Sequence, residues 1–91
     1  MDKRAEVTYW GRVQGVGFRF TAERLAHKYH LTGYVMNSPG NKVELVAEGE
    51  EEEVKDFLDE LYLEMKGNID RFNADWFDAS GRFKGFNIRF Y

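Results

Sequence analysis

Cysteine is absent from the 91-residue sequence, and no apolar run approaches the roughly 20 residues needed to cross a bilayer. The lack of cysteine excludes disulfides, thiolate nucleophiles and cysteine-ligated metal sites. Small secreted domains usually depend on disulfides, so a reducing compartment is expected. Residues 1–6 are charged and contain no apolar signal core. The sequence therefore predicts a soluble cytoplasmic protein that does not bind membranes.

The sequence also has no excess of positively charged residues. Thirteen lysines and arginines stand against 16 aspartates and glutamates, which gives a formal net charge of −3. General nucleic-acid binding relies on a basic surface, so we expect no nucleic-acid partner. A small anion remains possible, because a local nest of N–H groups with one arginine binds an anion even on an acidic protein. The length predicts one domain over residues 1–91, and we expect a monomer.

Hydrophobic periodicity predicts an alternation of strands and helices. Apolar residues alternate over 6–14, and helical spacing follows from Ala22 to Tyr29, with Thr21 or a residue just before it as the cap. Gly49 is expected to end the third strand. Further strands are predicted at 34–36, 42–48, 70–78 and 86–90, with a second helix from 50 to 67. This order predicts an α+β ferredoxin-like sandwich, β-α-β-β-α-β plus a C-terminal strand, with two helices on one face of an antiparallel sheet.

The stretch between the first strand and the first helix is rich in glycine. Residues 11–19 read GRVQGVGFR. Glycines here allow consecutive N–H groups to point into one concavity at the positive end of a helix. The planar fork of Arg19 matches phosphate oxygens. We therefore predict a phosphate-sized anion site from the N–H groups of residues 15–19 and the Arg19 guanidinium, although spacing alone leaves open a simple tight turn.

A dinucleotide-binding fingerprint does not explain this stretch. The third glycine of that fingerprint is replaced by Phe20, and the chain is too short for the fold that carries it.

Two motifs together resemble the signatures of the acylphosphatase family. The first is residues 11–19, and the second is residues 33–37, which read GYVMN. Val43-Glu44 leading to Gly49 fits the same pattern. The resemblance implies the ferredoxin-like fold and hydrolysis of the carboxyl–phosphate bond of acyl phosphates, without metal or cofactor. It also implies inorganic phosphate as the product ligand.

The resemblance assigns a role to each matching position. Arg19 and Asn37 are implied as the catalytic pair, with Arg19 binding the phosphoryl group and Asn37 orienting the attacking water. The implied backbone donors to phosphate are the N–H groups of Gly15, Val16, Gly17, Phe18 and Arg19. An amide orients water but is not a strong base. This suits an acyl phosphate, which has a good leaving group and needs mainly positioning and charge stabilisation.

The chain departs from the family pattern at two turns. Gly40-Asn41 stands where many members have Asp-Gly, and both residues tolerate positive φ, so a hairpin is still expected. Gly67-Asn68 stands where members often have Gly-Pro, which leaves the register of the fourth strand open.

Other polar residues have ordinary explanations. His27 and His30 are predicted to interact with the end of the first helix. Glu48 and the glutamates at 50–53 are predicted to form a solvated helix start rather than a metal site. Trp10 is expected on the open side of the sheet.

The C-terminal stretch 84–91 is partly similar to an RNA-recognition motif, but it falls on the last strand and the chain is acidic. Two alternatives to an enzyme remain at this point: a phosphate-binding module without turnover, and an RNA-binding module.

Overall fold

Five strands and two α-helices make up the computed structural model, which describes residues 1–90. The strands and helices follow the order predicted from the sequence. A single 3₁₀ turn, Lys66–Asn68, follows the second helix. The strands are β1 (Asp2–Gly11), β2 (Thr32–Ser38), β3 (Lys42–Glu50), β4 (Ile69–Asp78) and β5 (Phe86–Ile88), and the helices are α1 (Phe18–Lys28) and α2 (Glu51–Met65).

One sheet contains all five strands in the order β4-β1-β3-β2-β5. The fold prediction is confirmed, with two helices covering one face, but the sheet is mixed rather than wholly antiparallel. β5 pairs with β2 in parallel, whereas the other three pairings are antiparallel. The cause is the crossover segment, residues 79–85, which carries the chain from one edge of the sheet to the other. β5 therefore begins at the same end of the sheet as β2, and the two strands run in the same direction.

Alternate residues of β1 supply the centre of the core. Ala5, Val7 and Tyr9 are buried on the helix-covered face, as period two requires for a strand with one covered face. The Tyr9 ring lies 4.9 Å from the Phe18 ring at the start of α1. Burial of these side chains fixes the end of β1 against the beginning of α1, which is where the glycine-rich stretch lies.

Two predicted boundaries were wrong. α1 begins at Phe18 rather than near Thr21, because Gly17 in a left-handed conformation starts the helix without any side-chain cap. Gly49 does not end β3, since it pairs with Lys3 within the strand. A Cβ at Gly49 would lie 2.5 Å from the Leu31 side chain, so this glycine makes room for packing instead of a turn.

The two turns that depart from the family pattern leave the neighbouring strands paired. Gly40 and Asn41 have φ values of 92° and 55°, so the β2–β3 connection is a hairpin, as expected. β4 keeps continuous register with β1 from Lys3–Asp78 to Trp10–Arg71, with one irregularity after Trp10. No helix within residues 1–90 is long and apolar enough to span a membrane.

Candidate active site

The glycine-rich loop, residues 12–17, joins β1 to α1 and needs glycine at two points. Gly15 and Gly17 have φ values of 75° and 81°, in the left-handed region that other residues rarely adopt. A Cβ built on either residue would have no neighbour within 4 Å. These glycines are therefore explained by backbone conformation and not by close packing, and the space beside them is open to a ligand.

Backbone donors are available at the start of α1. The first helical hydrogen bond runs from the Thr21 N–H to the Gly17 carbonyl at 3.0 Å. The N–H groups of the preceding residues have no acceptor within the helix. No turn or loop bond among residues 1–90 begins at the N–H of residues 15–18. The helix dipole adds a partial positive charge at this end, so the loop offers an anion a set of free donors.

Gln14 ties the loop to the β2–β3 hairpin. Its side-chain amide donates to the Ser38 carbonyl at 2.8 Å and to the Lys42 carbonyl at 2.9 Å. The same hairpin carries Asn37 near the end of β2. The sequence reasoning gave Gln14 no role, although it is part of the first motif. In the structure it joins the first motif to the hairpin that follows the second motif.

Arg19 and Asn37 come together in one cleft. They line a space of about 250 Å³ with Arg89 and Phe90. Asn37 is placed by β2, opposite Val43 of β3. Its Oδ1 is buried and has no hydrogen-bond partner, the one such side-chain atom found among residues 1–90. A buried acceptor left unpaired is costly in a folded protein, so this amide stands out among the residues that line the cleft.

Comparison with known proteins decides the family. The acylphosphatase family model matches residues 5–88. The chain is 38% identical to an acylphosphatase of Mycobacterium sp. (strain JLS) over 91 residues, covering 97% of each chain. It is 34% identical to an acylphosphatase of Salinibacter ruber, covering 97% of this chain and 94% of that one.

The fold agrees with these sequence matches. A crystal structure of acylphosphatase from Bacillus subtilis superposes with a TM-score of 0.87 at 26% identity, covering 97% of this chain and 99% of that chain. This chain belongs to the acylphosphatase family. The resemblance read from the two motifs is thereby confirmed.

A larger cleft lies away from these motifs. It has a volume of about 760 Å³ and runs between α2 and β4, lined mainly by apolar and aromatic side chains that include Tyr62, Phe72 and Trp76. Volume alone would favour it as a binding site. Acylphosphatase chemistry needs donors for a phosphoryl group, and the smaller cleft has Arg19 and Asn37. We therefore assign the candidate active site to the smaller cleft.

The sequence had suggested that Glu48 belongs to a solvated helix start, and that prediction was wrong. Its side chain is buried, with the residue 3% exposed. Its carboxylate accepts hydrogen bonds from the N–H groups of Ser80 and Gly81, from the Ser80 hydroxyl and from Arg4. Burial raises the pKa of Glu48, but these hydrogen bonds and the Arg4 charge outweigh burial, so its pKa lies below the ordinary value. Glu48 anchors the crossover segment to the sheet.

The other polar candidates lie outside the cleft. His27 is in the last turn of α1, with Nε2 3.3 Å from the Phe86 carbonyl. Trp10 lies on the open face, as predicted, with the Arg71 guanidinium 4.0 Å from its ring centroid. No group of three or more histidine, cysteine, aspartate or glutamate side chains within residues 1–90 is arranged to hold a metal ion.

The RNA-binding alternative loses Phe86 as a base-stacking residue. Phe86 is 2% exposed and packs edge-on against Phe57, with ring centroids 6.1 Å apart. A base-stacking residue must be accessible on the open sheet face, whereas Phe86 is buried in the core under the helices.

Proposed function

We propose that this protein hydrolyses the carboxyl–phosphate bond of acyl phosphates, giving a carboxylate and inorganic phosphate. The observation that carries the proposal is the meeting of Arg19 and Asn37 in one cleft at the N-terminus of α1. Membership of the acylphosphatase family supports the reaction class. The residue roles below are our assignment for this chain.

The phosphoryl group is held by the N–H groups of residues 15–19 and by the Arg19 guanidinium. Its negative charge is opposed by the helix dipole, the free N–H groups and one permanent cation. Because phosphoryl transfer places charge on the equatorial oxygens, these donors stabilise the transition state as well as the substrate. Within residues 1–90 the structure already has these N–H groups free of turn and loop hydrogen bonds, with Gly15 and Gly17 in the left-handed conformation.

Asn37 orients the attacking water. Its side-chain amide lines the cleft beside Arg19 and holds that water by a hydrogen bond, which leaves an oxygen lone pair directed at phosphorus. A new bond forms between the water oxygen and phosphorus, the bond between phosphorus and the acyl oxygen breaks, and the carboxylate departs with the electron pair. The displaced water proton passes to a phosphate oxygen or to solvent. Holding the water and the phosphoryl group in line adds to the acceleration that the phosphate donors supply.

The test is benzoyl phosphate hydrolysis, followed by ultraviolet absorbance in EDTA. We expect turnover by the wild type and a loss of roughly 10²-fold or more in kcat for both Arg19→Ala and Asn37→Ala. Each variant has a matched control: Arg24→Ala removes an exposed arginine from the same helix, and Asn87→Ala removes an exposed asparagine from β5. Both controls should retain activity.

Two results would contradict the proposal. Activity that survives in folded Arg19→Ala would mean that the wrong cation was chosen. Wild-type protein whose residues 15–19 shift on phosphate addition in NMR spectra, yet which releases no benzoate, would be a phosphate-binding module without turnover.

A further inference from the structure

Phe90 is a large apolar side chain left in solvent beside the candidate active site. It is 77% exposed, and the sequence had placed it inside the last strand. β5 ends at Ile88 instead, so Phe90 lies beyond the sheet ladder. Its ring centroid is 5.4 Å from the Arg19 Cζ atom, and it lines the same cleft as Arg19 and Asn37.

The backbone brings Phe90 to this position through β2. The Arg89 N–H donates to the Val35 carbonyl at 2.9 Å. The chain therefore continues alongside β2 towards Asn37, two residues after Val35. The Arg89 guanidinium stacks on the Tyr34 ring, 3.8 Å from its centroid, on the open face of the sheet. Neighbouring side chains of an extended chain point to opposite faces, so Phe90 is directed towards the helix-covered side and Arg19.

An acyl phosphate has two halves, and the residues assigned so far contact only one of them. Arg19 and the loop N–H groups are suited to the phosphoryl group, and Asn37 to the water. The Phe90 ring lines the same cleft and is exposed, so it is accessible to the acyl half. Aromatic and aliphatic groups gain contact energy against such a ring, whereas a methyl group covers little of it.

We propose that Phe90 forms the apolar wall of a subsite for the acyl half, and that this subsite favours aromatic and larger apolar acyl phosphates over acetyl phosphate. The inference rests on the proposed function and extends it to substrate class. A wall that contacts the substrate differs from a purely positioning role, in which the Phe90 ring would only hold the Arg19 guanidinium by a cation–π contact. That role would affect every acyl phosphate equally.

The experiment compares kcat/KM for benzoyl phosphate and acetyl phosphate in three proteins. We expect Phe90→Ala to lower the benzoyl-to-acetyl ratio roughly two- to tenfold, the value of one aromatic contact. Phe90→Leu keeps an apolar wall without the ring quadrupole, so it should give an intermediate ratio. Phe77→Ala removes a half-exposed phenylalanine from β4, away from the cleft, and should keep the wild-type ratio.

An unchanged ratio in Phe90→Ala would overturn the proposal, whether both substrates lose activity equally or neither does. Failure of the proposed function is a separate result, since wild-type protein would then hydrolyse neither substrate. Binding of benzoylphosphonate and acetylphosphonate, which resist hydrolysis, decides the subsite in that case. A wild-type preference for benzoylphosphonate that disappears in Phe90→Ala supports the subsite, and equal binding contradicts it.

Discussion

Replacing Glu48 with glutamine removes a negative charge from a buried site with almost no change in volume. The Glu48 carboxylate connects β3 to the crossover segment, which delivers β5 to the edge of the sheet beside β2. Oε1 accepts from the Gly81 N–H at 3.0 Å, and Oε2 accepts from the Ser80 N–H and hydroxyl at 2.9 Å and from Arg4 at 3.3 Å. Every group around the carboxylate can donate a hydrogen bond.

A glutamine side chain has only one acceptor oxygen, so it can accept hydrogen bonds at only one of the two carboxylate positions. If its oxygen takes the place of Oε2, its NH₂ group faces the Gly81 N–H, so a donor meets a donor. Arg4 also loses one of its two acidic partners and keeps Glu6, whose carboxylate lies 2.7 Å from the Arg4 Nε atom. One charge-assisted hydrogen bond is worth about 1.5–3 kcal/mol, and a buried donor left without an acceptor adds to the loss. We expect Glu48→Gln to lower the free energy of unfolding by roughly 3 kcal/mol. For a domain of this size that is a fall in Tm of about 12–24 °C.

Thermal unfolding followed by circular dichroism at several pH values is the assay. The folded-state pKa of Glu48 lies below its ordinary value of 4.5. Its contribution is therefore fully present above pH 4.5 and is lost as the pH falls through the folded-state pKa. The difference in Tm between wild type and Glu48→Gln should be constant near neutral pH and should narrow in acid.

Glu52→Gln is the matched control, because that side chain is exposed, and its Tm should change by no more than a degree or two. A neutral-pH difference between Glu48→Gln and wild type as small as that of the control would refute the reasoning. So would a difference that stays the same down to pH 3.

Two further substitutions test how the site is held. Gln14→Ala removes both hydrogen bonds between the loop and the hairpin; we expect roughly 1–2 kcal/mol of lost stability and a lower kcat in the benzoyl phosphate assay, whereas wild-type Tm and kcat would show that the connection is not needed. Gly33→Ala places a Cβ against the Val46 carbonyl at a positive φ, so chemical denaturation should show a loss on the order of 3 kcal/mol or more. Gly67→Ala, where nothing lies within 4 Å, should change stability by less than about 0.5 kcal/mol, and equal behaviour of the two variants would contradict the steric argument.

Local patterns were enough to predict the order of strands and helices, whereas the pairing of Arg19 with Asn37 came from the resemblance to the acylphosphatase family. Apolar residues recur every second position in β1 and at helical spacing in α1 because those positions face the core. This spacing can be seen in the sequence itself. The first motif leads into α1 and the second ends β2, so a β-α-β unit brings Arg19 and Asn37 to the same end of the sheet. Their placement in one cleft agrees with the pairing that the resemblance implied.

Contacts between distant segments could not be predicted in the same way. Glu48 looked like one more glutamate in an acidic run, because its donors lie more than 30 residues later, at Ser80 and Gly81. The parallel β2–β5 pairing depends on the path of the crossover segment, which has no periodic pattern. Phe90 continued the alternation of the last strand, although the ladder ends at Ile88. Gln14 was visible within the motif, but its acceptors are backbone carbonyls, which no side-chain pattern reveals.

Hydrolysis of benzoyl phosphate in ¹⁸O-labelled water tests the central claim most directly. If Asn37 orients a water towards a phosphoryl group held by Arg19 and the loop N–H groups, the new bond forms at phosphorus. Mass spectrometry of a single turnover should then find the label in inorganic phosphate and none in benzoate. Label in benzoate would mean attack at the carbonyl carbon, and it would contradict the proposed arrangement of substrate and water in this cleft.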